Sequence, residues 1–108
     1  MRKEGLDDFK KNMGEVLDIQ LALEGYQLNT AIEVPWISEA YKAIGDLRRK
    51  RDDLTEEERI KESEDLLKKL HSVLDKIGKE KFIFYDDGGI GYKWDNTIKG
   101  GKYDRRQG

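Results

Sequence analysis

At 108 residues the chain has the usual size of one domain, and a hydrophobic fraction of 36% beside a charged fraction of 41% predicts a small core under a heavily charged surface. The formal net charge is only -2, and the apolar residues are periodic, which argues against disorder throughout. Cysteine is absent, which excludes disulfides, thiol catalysis and Cys-based zinc sites. No apolar run approaches the roughly 18 residues of a membrane span, so a soluble chain is expected, and a cytoplasmic one fits the lack of cysteine.

The first helical signal begins at Leu6, where Leu6, Phe9, Met13, Val16 and Leu17 recur at helical spacing and Asp7 and Asp8 suit the positive end of the helix dipole. This helix is expected to run to about Glu24. Gly25 then reads as a break. Tyr26, Leu28, Ile32 and Val34 fall on alternate positions, so residues 26–34 can supply a short strand or an extended linker that ends at Pro35.

A second helix carries Ile37, Ala40, Tyr41, Ile44 and Leu47 on one stripe, with Ser38 as its expected cap, and runs to about Lys50. The chain turns near Asp53. Thr55 and Glu58 have the spacing of a capping box that opens a third helix. In that helix Ile60, Leu67, Leu70, Leu74 and Ile77 form a seam widened by Leu66 and Val73, until Gly78 stops it. Two amphipathic helices joined by a few polar residues must fold back on each other to bury their stripes.

The stretch from Lys81 to Asp95, KFIFYDDGGIGYKWD, reads as a β-hairpin. A phosphate-binding glycine loop would lead into a helix, whereas here a second strand follows, and Asp86 and Asp87 lack the further oxygens of a calcium loop. A three-residue loop of Asp87, Gly88 and Gly89 sets Phe84 opposite Tyr92 and Phe82 opposite Trp94 on a core face. Ile83, Tyr85, Gly91 and Lys93 then take the other face. A two-residue Asp-Gly loop sets Tyr85 against Ile90 and Ile83 against Tyr92 instead. Either way both faces carry large apolar groups, and a lone ribbon is marginal in water. It must be covered by the helices, by strand 26–34 or by another chain.

Candidates for chemistry are sparse. His71 is the only histidine, with Asp75 four residues on as a helical pair. Ser38, Ser63 and Ser72 lie in helical contexts without a nucleophile elbow. No catalytic, metal or cofactor residues are therefore nominated, and an enzyme is not expected. Arg48, Arg49, Lys50 and Arg51, with Arg105 and Arg106 of the tail, form the nucleic-acid candidate. The same bases close one helix at its negative end while Asp52, Asp53 and Glu56 to Glu58 open the next, an arrangement that helix dipoles reward without any ligand.

Residues 13–40 contain Glu15, Asp18, Glu24, Glu33 and Glu39 and no lysine or arginine. Interleaved with Tyr26 and Trp36, this stretch can present an acidic and aromatic face to a basic partner. Tyr85, Asp86, Asp87, Tyr92 and Trp94 of the hairpin are the other interaction candidates.

The expected fold class is thus α+β, mainly α, with an N-terminal helix, an antiparallel helix pair, a C-terminal β-hairpin and room for a third strand at 26–34. Residues 1–98 form one compact domain, and 99–108 form a flexible basic tail. The expected function is a non-enzymatic protein-protein interaction module, a small regulator or inhibitor of a larger, nucleic-acid-processing protein of the kind encoded by phages or mobile elements. Homodimerisation is compatible with it, and no membrane partner is expected. The alternative is a nucleic-acid-binding accessory protein that uses the basic cluster and tail.

Overall fold

The computed structural model describes residues 2–97, with side chains from Asp8 onward; the expected tail, including Arg105 and Arg106, lies outside the described residues. The fold is α+β, mainly α. In chain order it has α1 (Arg2–Thr30), α2 (Pro35–Lys50), α3 (Glu56–Ile77), β1 (Phe82–Phe84) and β2 (Ile90–Tyr92), with 3-10 turns at Arg51–Asp53 and Lys79–Lys81.

α3 begins as its residues dictate. Thr55 accepts from the Glu58 N–H at 3.1 Å while the Glu58 carboxylate accepts from the Thr55 N–H at 2.8 Å, so each satisfies a donor the helix start leaves unpaired. The helix ends at Gly78, whose φ of 118° suits a residue without a Cβ. Leu70 and Leu74 are fully buried as expected, but the seam is centred on the widening positions: Leu66 and Val73 are buried while Ile60, Leu67 and Ile77 lie at its margin.

α2 buries Ile37, Ala40, Ile44 and Leu47. Its start differs from expectation. Val34 is the N-cap and Pro35 the first helical residue, where a missing N–H costs nothing. Ser38 instead sits inside the first turn, donating its N–H to the Val34 carbonyl. α2 and α3 run antiparallel, since Lys50 at the end of one pairs with Glu62 near the start of the other at 3.1 Å. At the opposite end Lys76 lies 5.3 Å from the Trp36 ring centre.

α1 corrects the expected break at Gly25 and the expected third strand. The helix continues to Thr30, and among the described residues the sheet has two strands only. A glycine inside a helix costs about 1 kcal/mol, but here a larger tertiary gain outweighs it. Tyr92 and Trp94 lie on α1 at Gly25, where an added Cβ would meet Tyr92 at 3.4 Å and Trp94 at 3.5 Å. Tyr26 is buried against Phe82 and Tyr92, with ring centres 6.5 and 6.0 Å away. The alternating apolar residues that resembled a strand are divided between a buried helix face and the connection to α2. α1 ends where Thr30 donates its hydroxyl to the Tyr26 carbonyl and accepts from the Ile32 N–H, with Ala31 in the left-handed region at φ 60°. Leu17, expected on the core stripe, is exposed, and Ile19, Ala22 and Leu23 are buried in its place. The cause is the second partner: α1 must face both α3 and the hairpin.

The hairpin keeps the expected division of faces but slides the pairing. Phe82 pairs with Tyr92, Ile83 with Gly91 and Phe84 with Ile90, rather than either expected register. The loop is Asp86, Asp87 and Gly88. The Gly88 N–H returns to the Tyr85 carbonyl at 3.0 Å, and Gly88 takes the positive φ of 96°. Because the slide is two residues, side-chain parity survives. Phe82 is buried and Tyr92 half-buried, but Phe84, expected in the core, is 45% exposed because β2 rather than β1 lies on α1.

Candidate functional site

The interaction candidates fall into three groups in space. Tyr26, Tyr92 and Trp36 are taken by the fold: Tyr26 is buried, Trp36 lies under Lys76, and the Tyr92 hydroxyl donates to the Asn29 side chain at 2.7 Å. Asn29, which sequence reasoning missed, is 3% exposed and acts as a clasp. Its carbonyl oxygen accepts from the Asp95 N–H at 2.8 Å, and its amide donates to the Asp95 carbonyl at 3.0 Å. One side chain thus satisfies both backbone groups of a residue leaving β2, which holds Trp94 on α1. Burial first, and then the Asp95 and Tyr26 neighbours, raise the Tyr92 pKa, while hydrogen bonds from Thr97 lower that of Asp95.

The acidic stretch 13–40 does not form one face. Glu24 accepts from Gln20 and lies toward α2, where burial and then the Glu24 charge raise the Tyr41 pKa well above the ordinary tyrosine value; Tyr41 donates to Gln27 at 2.7 Å. Glu33 lies on the connection before α2, and Glu39 is exposed on α2 itself. Glu15 accepts the only histidine, 2.6 Å from His71 Nε2. This corrects the expected His71–Asp75 pair, because Asp75 is turned to Lys79 at 3.3 Å. A helical neighbour at i+4 loses to a residue 56 positions away because α1 packs along α3 at that point.

Glu15 and Asp18 are instead joined to the hairpin tip. They line a cleft of about 330 Å³ with Lys11, Gly14, Asp87 and the two glycines of the tip, Gly88 and Gly89. A Cβ on Gly89 would lie 3.7 Å from the Asp18 carboxylate. Asp86 is exposed at the same tip, and Tyr85 lies over Gly89 and Gly91, covering backbone that has no side chain of its own. On α1 the neighbours of Asp18 at helical spacing include Gly14 and Leu21, Leu17 lies one turn before Leu21, and the two leucines are 44% and 56% exposed. Acidic groups from two distant segments and two exposed leucines therefore share one surface.

Other places offer less chemistry. Ser63 is fully buried, accepting from Asn12 at 2.9 Å and donating to the Ile60 carbonyl, so its hydroxyl is satisfied within the fold. A larger cleft of about 580 Å³ between Ile32, Glu80 and Trp94 sets Lys81 and Lys93 beside Glu80 and Asp95, so its charges offset each other. Among the described residues no cluster of three His, Asp or Glu side chains is placed to hold a metal, and no helix is long and apolar enough to cross a membrane.

The basic cluster is largely compensated. Arg49 pairs with Asp46, Lys50 with Glu62 at 3.1 Å, and Arg51 with Asp52 at 3.7 Å. The Arg51 carbonyl also accepts from Arg59 at 2.6 Å. Arg48 alone of the four has no ion-pair partner among the described residues. No family model matches the chain, and neither a curated protein nor a solved structure matches it at a significant level.

Proposed function

We propose that this chain is a non-enzymatic interaction module, a small regulator or inhibitor that docks on a larger protein through the α1 surface beside the hairpin tip. The observation that carries this reading is the convergence of Glu15, Asp18 and Asp87 on one cleft, where three carboxylates outnumber the single Lys11, on the helix that also exposes Leu17 and Leu21. Carboxylates around a leucine pair fit a basic partner surface with an apolar centre, where charge sets the encounter rate and buried apolar area the lifetime. A protein that processes nucleic acid carries such a basic surface in its phosphate-binding groove, and occluding that groove is the mode of action proposed. The rival reading, a nucleic-acid accessory protein, is weakened by the ion pairs of Arg49, Lys50 and Arg51, since affinity for a polyanion rests on unopposed positive charge.

Capture from a lysate with identification of the bound protein, followed by titration, tests this. Asp18→Lys with Leu21→Glu should weaken the captured complex by tenfold or more, about 1.4 kcal/mol or greater, whereas Glu39→Lys should leave it unchanged. Equal loss from both variants would overturn the proposed surface. Salt-sensitive DNA or RNA binding abolished by Arg48→Ala would favour the rival.

A further inference from the structure

The hairpin leaves one strand edge without a partner. Tyr85 donates to the Gly89 carbonyl at 2.8 Å and Lys93 to the Lys81 carbonyl at 2.9 Å, so the odd-numbered residues of β1 turn their backbone groups toward β2. Phe82 and Phe84 must then turn theirs the other way. The Phe82 N–H is satisfied by the Lys79 carbonyl. Among the described residues the Phe82 carbonyl, both backbone groups of Phe84 and the Asp86 N–H have no hydrogen-bond partner, and no third strand covers this edge. Phe84 and Tyr85, at its middle, are 45% and 53% exposed. Open edges of this kind recruit another strand.

The sequence along the edge says which strand it fits. Lys81 stands before Phe84, near Glu80 and a Lys79 that is paired with Asp75, and Asp86 and Asp87 stand after it, so along the strand a base at position 81 precedes two acids. We infer that β1 pairs antiparallel with β1 of a second copy of this chain about a two-fold axis at Phe84, forming a four-stranded sheet. In this register the Phe84 N–H and carbonyl exchange hydrogen bonds with those of the second copy, and each Asp86 N–H reaches the Phe82 carbonyl opposite. Ile83 lies across from the second copy's Tyr85, and Lys81 across from its Asp87. A two-fold interface repeats every such pair twice. The competing register, with the axis at Ile83, sets Glu80 against the second copy's Asp86 and calls on the Phe82 N–H already given to Lys79, so it is disfavoured on both counts. Asp86 and Asp87 form no ion pair among the described residues, and Lys81, although its charge also favours the Asp95 carboxylate, has no carboxylate within ion-pair distance there. Asp87 Oδ1 accepts from the Gly89 N–H at 3.0 Å, which fixes the carboxylate at the tip.

This pairing uses the free edge of β1 and does not depend on the α1 surface proposed above, although the two meet at Asp87. Sedimentation equilibrium of the full chain over a concentration series tests it, with Lys81→Glu and Asp87→Lys each checked for folding by circular dichroism. The unsubstituted chain should dimerise, each variant alone should dimerise at least tenfold more weakly, and an equimolar mixture of the two variants should recover dimers, because opposite charges then meet at both ends. Should Asp87→Lys disturb the turn, exchange of the Phe84 amide proton gives the second measurement: protection should rise with concentration in the unsubstituted chain and not in Lys81→Glu. A chain monomeric throughout, or a dimer indifferent to Lys81→Glu, overturns the proposal. Asp18→Lys should leave dimerisation unchanged, which separates failure of this interface from failure of the partner-binding surface.

Discussion

The start of α3 and the end of α1 are both fixed by side-chain hydrogen bonds to backbone, but the partners lie at different distances along the chain. At Thr55 the capping box joins residues three apart, and it would form in any context that allowed a helix there. At Asn29 the side chain holds Asp95, 66 residues on, and the bonds exist only once the hairpin has reached α1. A local device of this kind sets a boundary, whereas the distant one sets an assembly. The difference explains why α3 could be placed from its residues and the end of α1 could not.

The comparison breaks most sharply at Asn29. Asn29→Ala removes its bonds to Tyr92 and to both backbone groups of Asp95. At roughly 1 kcal/mol for each bond the chain should lose about 2–3 kcal/mol. Near-ultraviolet circular dichroism from Tyr92 and Trp94 should be lost together with that stability in a urea titration. A loss below about 1 kcal/mol would mean that water replaces the clasp and that ring packing alone holds the hairpin.

Gly25 sharpens the same contrast from the side of volume. Gly25→Leu should lift Tyr92 and Trp94 from α1 and cost about 1–3 kcal/mol, as overpacking does. Gly25→Ala should be close to neutral or stabilising, because its Cβ would sit at ordinary contact distances of 3.4–3.5 Å while recovering about 1 kcal/mol of helix propensity. Thermal unfolding of the pair decides it. Equal losses from both would show that α1 tolerates no side chain there and that the hairpin lies closer than these contacts imply.

On the local side, Thr55→Ala should cost about 1 kcal/mol, the usual worth of an N-cap. The loss should be the same in the Asn29→Ala background, since the two sites share no partner and distant effects add. Coupling between them would show that the start of α3 is less autonomous than its hydrogen bonds suggest.

What the residues revealed follows the same line. Thr55 with Glu58, Gly78, the stripe of α2 and the two faces of the hairpin were legible, because each depends on spacing within a few residues. Gly25 read as a helix break because its role is to leave room for rings 67 and 69 positions away, and no local rule encodes that. Leu17 fits a core stripe if α1 has one buried face, while α1 is wrapped on two sides. Asp75 is the partner that local spacing offers His71, and nothing near His71 in the sequence signals that Glu15, 56 positions away, reaches it. At the candidate site the acids of α1 and of the hairpin tip were each visible in the sequence. Their union at one cleft was not, since it depends on where the tip lands, and Asn29, the residue that decides this, looked like an ordinary polar residue unsuited to a helix.

The smallest effect concerns the residue that lets α1 end where it does. Ala31 occupies the left-handed region at φ 60°, which costs a residue with a Cβ about 1–2 kcal/mol and is the position where helices usually place glycine. The strain persists because the Ala31 N–H reaches the Gln27 carbonyl at 2.7 Å and the Thr30 hydroxyl holds the next turn. Ala31→Gly relieves the strain, while the greater freedom of glycine in the unfolded chain returns about 0.4–1 kcal/mol of that gain. A net stabilisation of about 0.5 kcal/mol should appear as a higher urea midpoint at unchanged slope. A lower midpoint would mean that residue 31 is not held left-handed in solution, and α1 would then be free to end elsewhere between Asn29 and Pro35.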